Sequence, residues 1–356
     1  MVTRGTRRVT RSQHLRVWQR DALELYQRTQ PRDFLTVATP GAGKTTFALT
    51  IAADLMSRGI VERVVIVTPT DHLKTQWALA AAGIGIMIDP SLTGQGRLGA
   101  DFDGFAVTYA GLAVNANSFR TRIDNKPTMV ILDEVHHAAD ALSWGEAVQE
   151  ACEPAVRRLS LTGTPFRSDD NPIPFVSYAP ADDGTMSSVA DFAYGYGHAL
   201  KDGVVRPVLF MAYSGQMHWR TRAGDEVAAR LGEPLDRAAT AQALRTALDP
   251  QGSWIPAVLL AAHTRLMEVR RDVPDAGGLV IASDQDTARQ YATVLAQITG
   301  TDPTVVLSDE PGSSGRIADF SAGMTPWMVA VRMVSEGVDI PRLSVGVYAT
   351  TTATPL

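Results

Sequence analysis

Residues 34–55 read FLTVATPGAGKTTFALTIAADL, and this stretch decides the fold. It starts as an apolar, β-branched run, breaks at Pro40-Gly41-Ala42-Gly43 and resumes at Lys44-Thr45-Thr46 with helical composition. A strand that ends in a glycine-bearing turn and opens into a helix points successive backbone N–H groups inward, and the helix N-terminus adds partial positive charge. Gly41 and Gly43 let the chain bend where a Cβ would clash. Such a bend (Pro40, Gly41, Ala42, Gly43, Thr46) holds polyphosphate by main chain. Lys44 then reaches the β and γ phosphates, and the Thr45 hydroxyl completes a Mg²⁺ shell. The strict GxxxxGK[ST] spacing fails at its first position, which is Ala38. A helix start that happens to read GKT is the alternative.

Outward from the bend, β-branched runs alternate with helical stretches. Strands are expected over 34–38, 63–68, 104–108, 129–133 and 158–162, with helices over 45–58 and 71–82. Most of these runs are apolar throughout, as strands buried on both faces are, so a parallel sheet between two helical layers follows. Residues 184–188 read as loop, and 197–207 as a short helix followed by a crossover. From Val208 a second α/β unit is expected: a strand over 208–213, a helix-rich stretch over 226–271, strands over 278–283, 304–307, 327–331 and 344–348, and helices over 286–299 and 315–320. The fold class is α/β, and two units of similar architecture imply a cleft between them.

The second informative stretch is MVILDEVHHA, residues 129–138. An apolar strand delivers Asp133 and Glu134 at its carboxyl end, where open α/β sheets bind ligands. Paired carboxylates suit one acid on Mg²⁺ and one that orients or deprotonates an attacking water; Asp133 and Glu134 take those roles in that order. An acidic helix start, favourable to the dipole, is the plain reading of the same residues.

Composition narrows the classes. With 356 residues, about two domains are expected. Lys+Arg number 33 and Asp+Glu 38, a net charge of −5, so any nucleic-acid binding must be local. The single cysteine, Cys152, excludes an intramolecular disulfide framework and a cysteine-rich zinc site, and suits a reducing cytoplasm. No apolar run approaches the roughly 20 residues that span a bilayer. Arg4, Arg7, Arg8, Arg11, Arg16 and Arg20 make the first twenty residues basic without acid, either a solvated tail or an arm that touches phosphates. GQGRLG at 94–99 has dinucleotide-site spacing but follows no strand, so it reads as a flexible loop. His136, His137 and Cys152 lack a zinc spacing, and PGSSG at 311–315 lacks that of a serine nucleophile.

Taken together, these residues resemble the superfamily 2 helicases and translocases of the DEAD/DEAH-box type, ATPases with two RecA-like domains. ATPGAGKT (38–45) is similar to their motif I, whose first position is commonly Ala; VTPTDHLKTQW (67–77) to motif Ia; DEVH (133–136) to motif II; LTGTPFR (161–167) to motif III; LVIASDQDTARQYA (279–292) to motif IV; and VRMVSEGVDIPRLSVGVYA (331–349) to motif V. The DEVH form with LTGTPFR resembles the DNA-repair and type III restriction-subunit branch more than the DEAD-box RNA helicases.

The resemblance implies two RecA-like domains, 1–203 and 204–356, with ATP and Mg²⁺ in the cleft between them. Movement along a DNA strand is the expected activity. RNA is an alternative substrate, and a binding module with little hydrolysis an alternative function; a nuclease or repair partner is possible and no membrane is expected. By the same resemblance Gln19 in LRVWQRDAL reads the adenine, and His136, Thr162 and Thr164 couple nucleotide state to the strand-binding face. Gly337 and Asp339 approach the ribose. Thr68, Thr70, Thr108, Ser283 and Ser335 match positions that touch the phosphates of a strand, and Arg167 adds charge to that groove. Contacts of this type hold a backbone without reading bases. The family's motif VI, an arginine-bearing helix, is due directly after motif V, where the sequence stops at Leu356. Arginine fingers contribute about 10³- to 10⁵-fold in rate, so a fragment that lacks its last motif and hydrolyses ATP weakly is expected.

Overall fold

A computed structural model describes residues 15–139, 142–163, 172–180, 186–210, 216–220, 226–230, 237–307, 310, 312–331 and 340–350. The expected site residues Thr164, Arg167, Ser335, Gly337 and Asp339, and most of the arginine-rich N-terminus, lie outside them. The chain divides into two compact units at Val208/Leu209.

The first unit runs α1 (Val17–Thr29), β1 (Asp33–Ala38), α2 (Lys44–Ser57), β2 (Arg63–Thr68), α3 (Asp71–Ala82), β3 (Ile88–Asp89), β4 (Gly104–Thr108), α4 (Tyr109–Val114), α5 (Ala116–Asp124), β5 (Thr128–Leu132), a 3₁₀ turn (Val135–Ala139), α6 (Leu142–Cys152), β6 (Arg157–Thr162), β7 (Tyr178–Pro180), β8 (Met186–Ser188), β9 (Phe192–Tyr194) and α7 (Tyr196–Lys201). Seven strands form one sheet in the order β3-β4-β2-β5-β6-β1-β9, and every pairing in it is parallel. Parallel pairing aligns all the carboxyl ends along one edge, which is where a ligand site can be assembled from several strands.

Alternation along the strands fills two cores. Phe34, Ala38, Val64, Ile66, Met129, Ile131, Leu159 and Leu161 face α1, α2, α3 and α7, burying Trp18, Phe47, Ile51 and Trp77. Leu35, Val65, Val67, Phe105, Val107, Val130 and Leu132 face α4, α5 and α6, burying Tyr109, Leu112, Phe119 and Val148. Central strands covered on both sides lose their polar alternation, which is why they read as near-continuous apolar runs. The GQGRLG segment is a loop, and Arg122 on α5 ties it down by donating to the Gly94 and Gly96 carbonyls at 2.7 Å each.

The second unit contains a hairpin of β10 (Gln216–Arg220) and β11 (Glu226–Arg230), then α8 (Arg237–Ala247), α9 (Trp254–Val269), β12 (Gly277–Ala282), α10 (Gln285–Thr299), β13 (Thr304–Val306), α11 (Ser313–Ala322), β14 (Trp327–Val331) and β15 (Leu343–Ala349). Four strands pair in parallel in the order β13-β14-β12-β15. α9 and α10 cover one face over Val280, Trp327, Val329 and Val347, while α11 covers the other over Val306, Met328 and Ala330. Both units therefore have the mainly parallel, helix-covered sheet of RecA-like domains.

Three expectations are corrected. Residues 226–230 open the stretch expected to be helix-rich as a strand, because the antiparallel partner Gln216–Arg220 overrides the helical preference of EVAAR. Met186–Ser188, inside the expected loop, pairs with Tyr178–Pro180. Val208, Leu209 and Phe210, at the start of the strand expected over 208–213, are not in a strand.

Candidate nucleotide site

The loop between β1 and α2 is bent by two left-handed glycines, Gly41 at φ 75° and Gly43 at φ 94°. A Cβ on Gly43 would lie 2.8 Å from the Gln19 amide nitrogen, so both the conformation and the space require glycine there. α1 lies behind this loop and grips it by its carbonyls. Arg16 Nη1 donates to Gly41 O at 2.8 Å, Trp18 Nε1 to Ala42 O at 3.1 Å and Gln19 Nε2 to Gly43 O at 2.9 Å. Gln19 is 2% exposed, and its Oε1 accepts the Arg16 backbone N–H. Its amide thus holds the phosphate loop, a contact the sequence does not announce; Arg16 and Trp18 were not anticipated in this role. Removing the two buried bonds of Gln19 costs about 2 kcal/mol at typical net values. Gln19→Ala is accordingly expected to melt about 4–8 °C lower and to bind nucleotide more weakly; an unchanged melting curve would show that α1 does not brace the loop.

Across the loop stand the carboxyl ends of β5 and β6. Lys44 Nζ donates to Glu134 Oε1 at 2.6 Å, and the Gly163 N–H donates to Glu134 Oε2 at 3.1 Å, so both carboxylate oxygens are held. Gly163 packs against the loop itself: a Cβ there would meet Pro40 Cδ at 3.1 Å and Lys44 Nζ at 3.3 Å. Glu134 has φ 45°, a left-handed conformation that costs a non-glycine residue energy and tends to mark functional positions. His136 Nδ1 lies 3.0 Å from Thr162 Oγ1 and 3.7 Å from Glu134 Oε2, tying the 3₁₀ turn after β5 to the end of β6.

Asp133 is 7% exposed. Burial first, and the neighbouring Glu134 carboxylate second, push its carboxyl up to about 6; the Trp77 N–H and the Lys44 ammonium pull the other way. A buried acid with that cost of ionisation is suited to a cation. No cluster of three or more His, Cys, Asp or Glu able to cage a metal occurs among the described residues. Mg²⁺ takes one or two protein oxygens and fills its octahedron with phosphate and water. Asp133 and the hydroxyl of Thr45, in the first turn of α2, are the oxygens that would hold it.

The structure therefore brings Gln19, Pro40 to Thr46, Asp133, Glu134, His136 and Thr162 to one end of the first sheet. The strand-contact candidates sit along the same end but are engaged locally. Thr68 is buried and donates to Thr70 O at 3.0 Å, Thr70 is exposed at the start of α3, and Thr108 accepts the Gly111 N–H at 3.0 Å as the cap of α4. In the second unit Ser283 follows β12, with its hydroxyl 3.4 Å from that of Thr350.

A parallel sheet with a glycine-bent loop before α2 and an Asp-Glu pair after β5 has the architecture of a RecA-like domain. Residues 12–167 match the family described as the type III restriction enzyme, res subunit, which is consistent with a domain of the superfamily 2 helicase type. Over 343 residues the chain is 59% identical to the uncharacterised protein Rv2917 of Mycobacterium tuberculosis, covering 96% of this chain and 57% of that protein. The chain thus spans a little over half the length of that relative. Among solved structures, a fragment described as an HsdR subunit of a type I restriction enzyme from Vibrio vulnificus YJ016 superposes with a TM-score of 0.59 at 17% identity, over 97% of this chain and 59% of that one. The ATP-dependent type ISP restriction-modification enzyme LlaBIII bound to DNA gives 0.57 at 14% identity, over 96% of this chain and 26% of that one. At these identities the two structures speak for the fold. No described helix is long and apolar enough to cross a membrane.

Proposed function

We propose that this chain is the motor portion of an ATP-dependent DNA helicase or translocase. The observation that carries the reading is the Lys44–Glu134–Gly163 arrangement, in which the phosphate-loop lysine, a carboxylate and the residue after β6 meet at one sheet edge. In this reading the amides before α2 and the Lys44 ammonium bind the β and γ phosphates of ATP. Glu134, aimed by the Gly163 N–H, accepts the proton of the attacking water, and ADP and phosphate result. Bound Mg²⁺ would supply charge neutralisation to the phosphate oxygens. His136 and Thr162 transmit the state of this site along the sheet edge toward Thr164.

Residues 1–203 serve as the ATP-binding domain. By the resemblance of their motifs, Gly337 and Asp339 are assigned to nucleotide, and Thr68, Thr70, Thr108, Arg167, Ser283 and Ser335 to the phosphates of a strand. One observation favours DNA: the match of residues 12–167 to a restriction-enzyme family. A nuclease or modification partner would suit that setting, and the single cysteine suits the cytoplasm.

The test is ATP turnover by the protein alone, with single-stranded DNA, with duplex DNA and with RNA. DNA is expected to raise turnover from a low basal rate. Stimulation by RNA alone would change the substrate assignment, and nucleotide binding without stimulated hydrolysis would leave a binding module in place of a motor.

A further inference from the structure

Asp133 is anchored from both faces of the sheet. On the side of the first core, Trp77 of α3, 2% exposed, donates its indole N–H to Asp133 Oδ2 at 2.7 Å. On the side of the second core, the buried hydroxyl of Tyr109 in α4 donates to the Asp133 carbonyl at 2.9 Å. The Asp133 N–H completes the set by donating to Val67 O at 2.9 Å, which continues the β2–β5 ladder one residue past β5. One carboxylate oxygen is thus committed to Trp77, and that bond sets the direction in which the other can bind a cation. Trp77 and Tyr109 also belong to the helices that begin at Thr70 and Thr108, directly after the ends of β2 and β4.

We infer that Trp77 and Tyr109 are positioning residues for Asp133, through which α3 and α4 set how tightly its carboxylate takes Mg²⁺. This rests on the reading of Asp133 as the carboxylate that holds the cation beside a bound nucleotide. A displacement of α3 or α4 by a strand laid on Thr70 or Thr108 would then reach Asp133 through one aromatic side chain on each face, with no change in the phosphate loop. A buried N–H bond to an ionised oxygen is short and strong, so its removal is felt at the carboxylate. Tyr109 acts on the backbone and has the smaller effect.

The experiment is a Mg²⁺ titration of the full chain with the fluorescent nucleotide mant-ADP, which reads binding without turnover. Wild type, Trp77→Phe and Tyr109→Phe are compared, each with and without a single-stranded oligonucleotide, and folding is checked by circular dichroism. Trp77→Phe is expected to raise the Mg²⁺ concentration at half-saturation about tenfold and Tyr109→Phe about threefold, with metal-free mant-ADP affinity unchanged in both. In wild type the oligonucleotide is expected to shift the Mg²⁺ midpoint, and in the variants that shift disappears. A folded Trp77→Phe chain with the wild-type midpoint overturns the inference. If Trp77→Phe fails to fold, Tyr109→Phe, which removes a single oxygen, decides: a wild-type midpoint and an undiminished oligonucleotide shift refute it. Absence of Mg²⁺-dependent mant-ADP binding in wild type would instead refute the nucleotide-site reading itself, so the two failures are distinct.

Discussion

Lys44→Ala is expected to remove nucleotide binding, with affinity falling at least 30-fold and to a level that fluorescence titration no longer detects at micromolar protein. The substitution deletes the cation meant for the β and γ phosphates, and truncating a charge in a desolvated, paired setting costs about 2–5 kcal/mol. It also strips Glu134 of the partner that holds Oε1 at 2.6 Å, leaving the Gly163 N–H and the His136 ring beside Oε2. Repulsion between an unneutralised Glu134 and an incoming triphosphate adds to the loss. Retained affinity in Lys44→Ala would mean that the loop of 39–43 is a structural turn, and the whole functional reading would go with it.

Glu134→Gln is expected to behave in the opposite way. The amide keeps the shape of the side chain and an oxygen to accept from Lys44 or Gly163, so nucleotide affinity should stay within about threefold, as a substitution that leaves one hydrogen bond in place costs little. It cannot take a proton. Turnover is expected to fall by about 10²- to 10⁴-fold, the usual contribution of a positioned general base. The pair of measurements, binding by titration and turnover by phosphate release, separates the two residues: one variant loses both and the other loses only the second. If Glu134→Gln hydrolyses ATP at the wild-type rate, the base is elsewhere and Glu134 only holds Lys44 in place.

Much of the first unit is legible because its central strands are buried on both faces. The expected 63–68 and 104–108 coincide with β2 and β4, and 34–38, 129–133 and 158–162 miss by a single residue at one or both ends. β3 and β9 have two and three residues and sit at the sheet edges, too short to leave a pattern. The hairpin of β10 and β11 is invisible for another reason: Glu226–Arg230 becomes a strand only because a distant segment pairs with it.

The site divides along the same line. Lys44, Asp133 and Glu134 are readable because phosphate chemistry constrains local order in the sequence. Trp77 and Tyr109 are not, since a large aromatic on the inner face of a helix reads as core, and here both are core residues whose polar atoms happen to end on Asp133. Gln19 lies between these cases: its place in the sequence singled it out, but only the fold shows its amide spent on Gly43.

The tethering of the phosphate loop by α1 has a geometric corollary. In a trans peptide the C=O and the following N–H point in opposite directions. With Ala42 O drawn back by Trp18 and Gly43 O by Gln19, the amide hydrogens of Gly43 and Lys44 are turned away from α1, while that of Ala42 is already engaged with Thr39 O. Two hydrogen-bond donors are thereby fixed in direction, and in the proposed reading the entropy of ordering them for an anion is spent when the domain folds, before any nucleotide arrives.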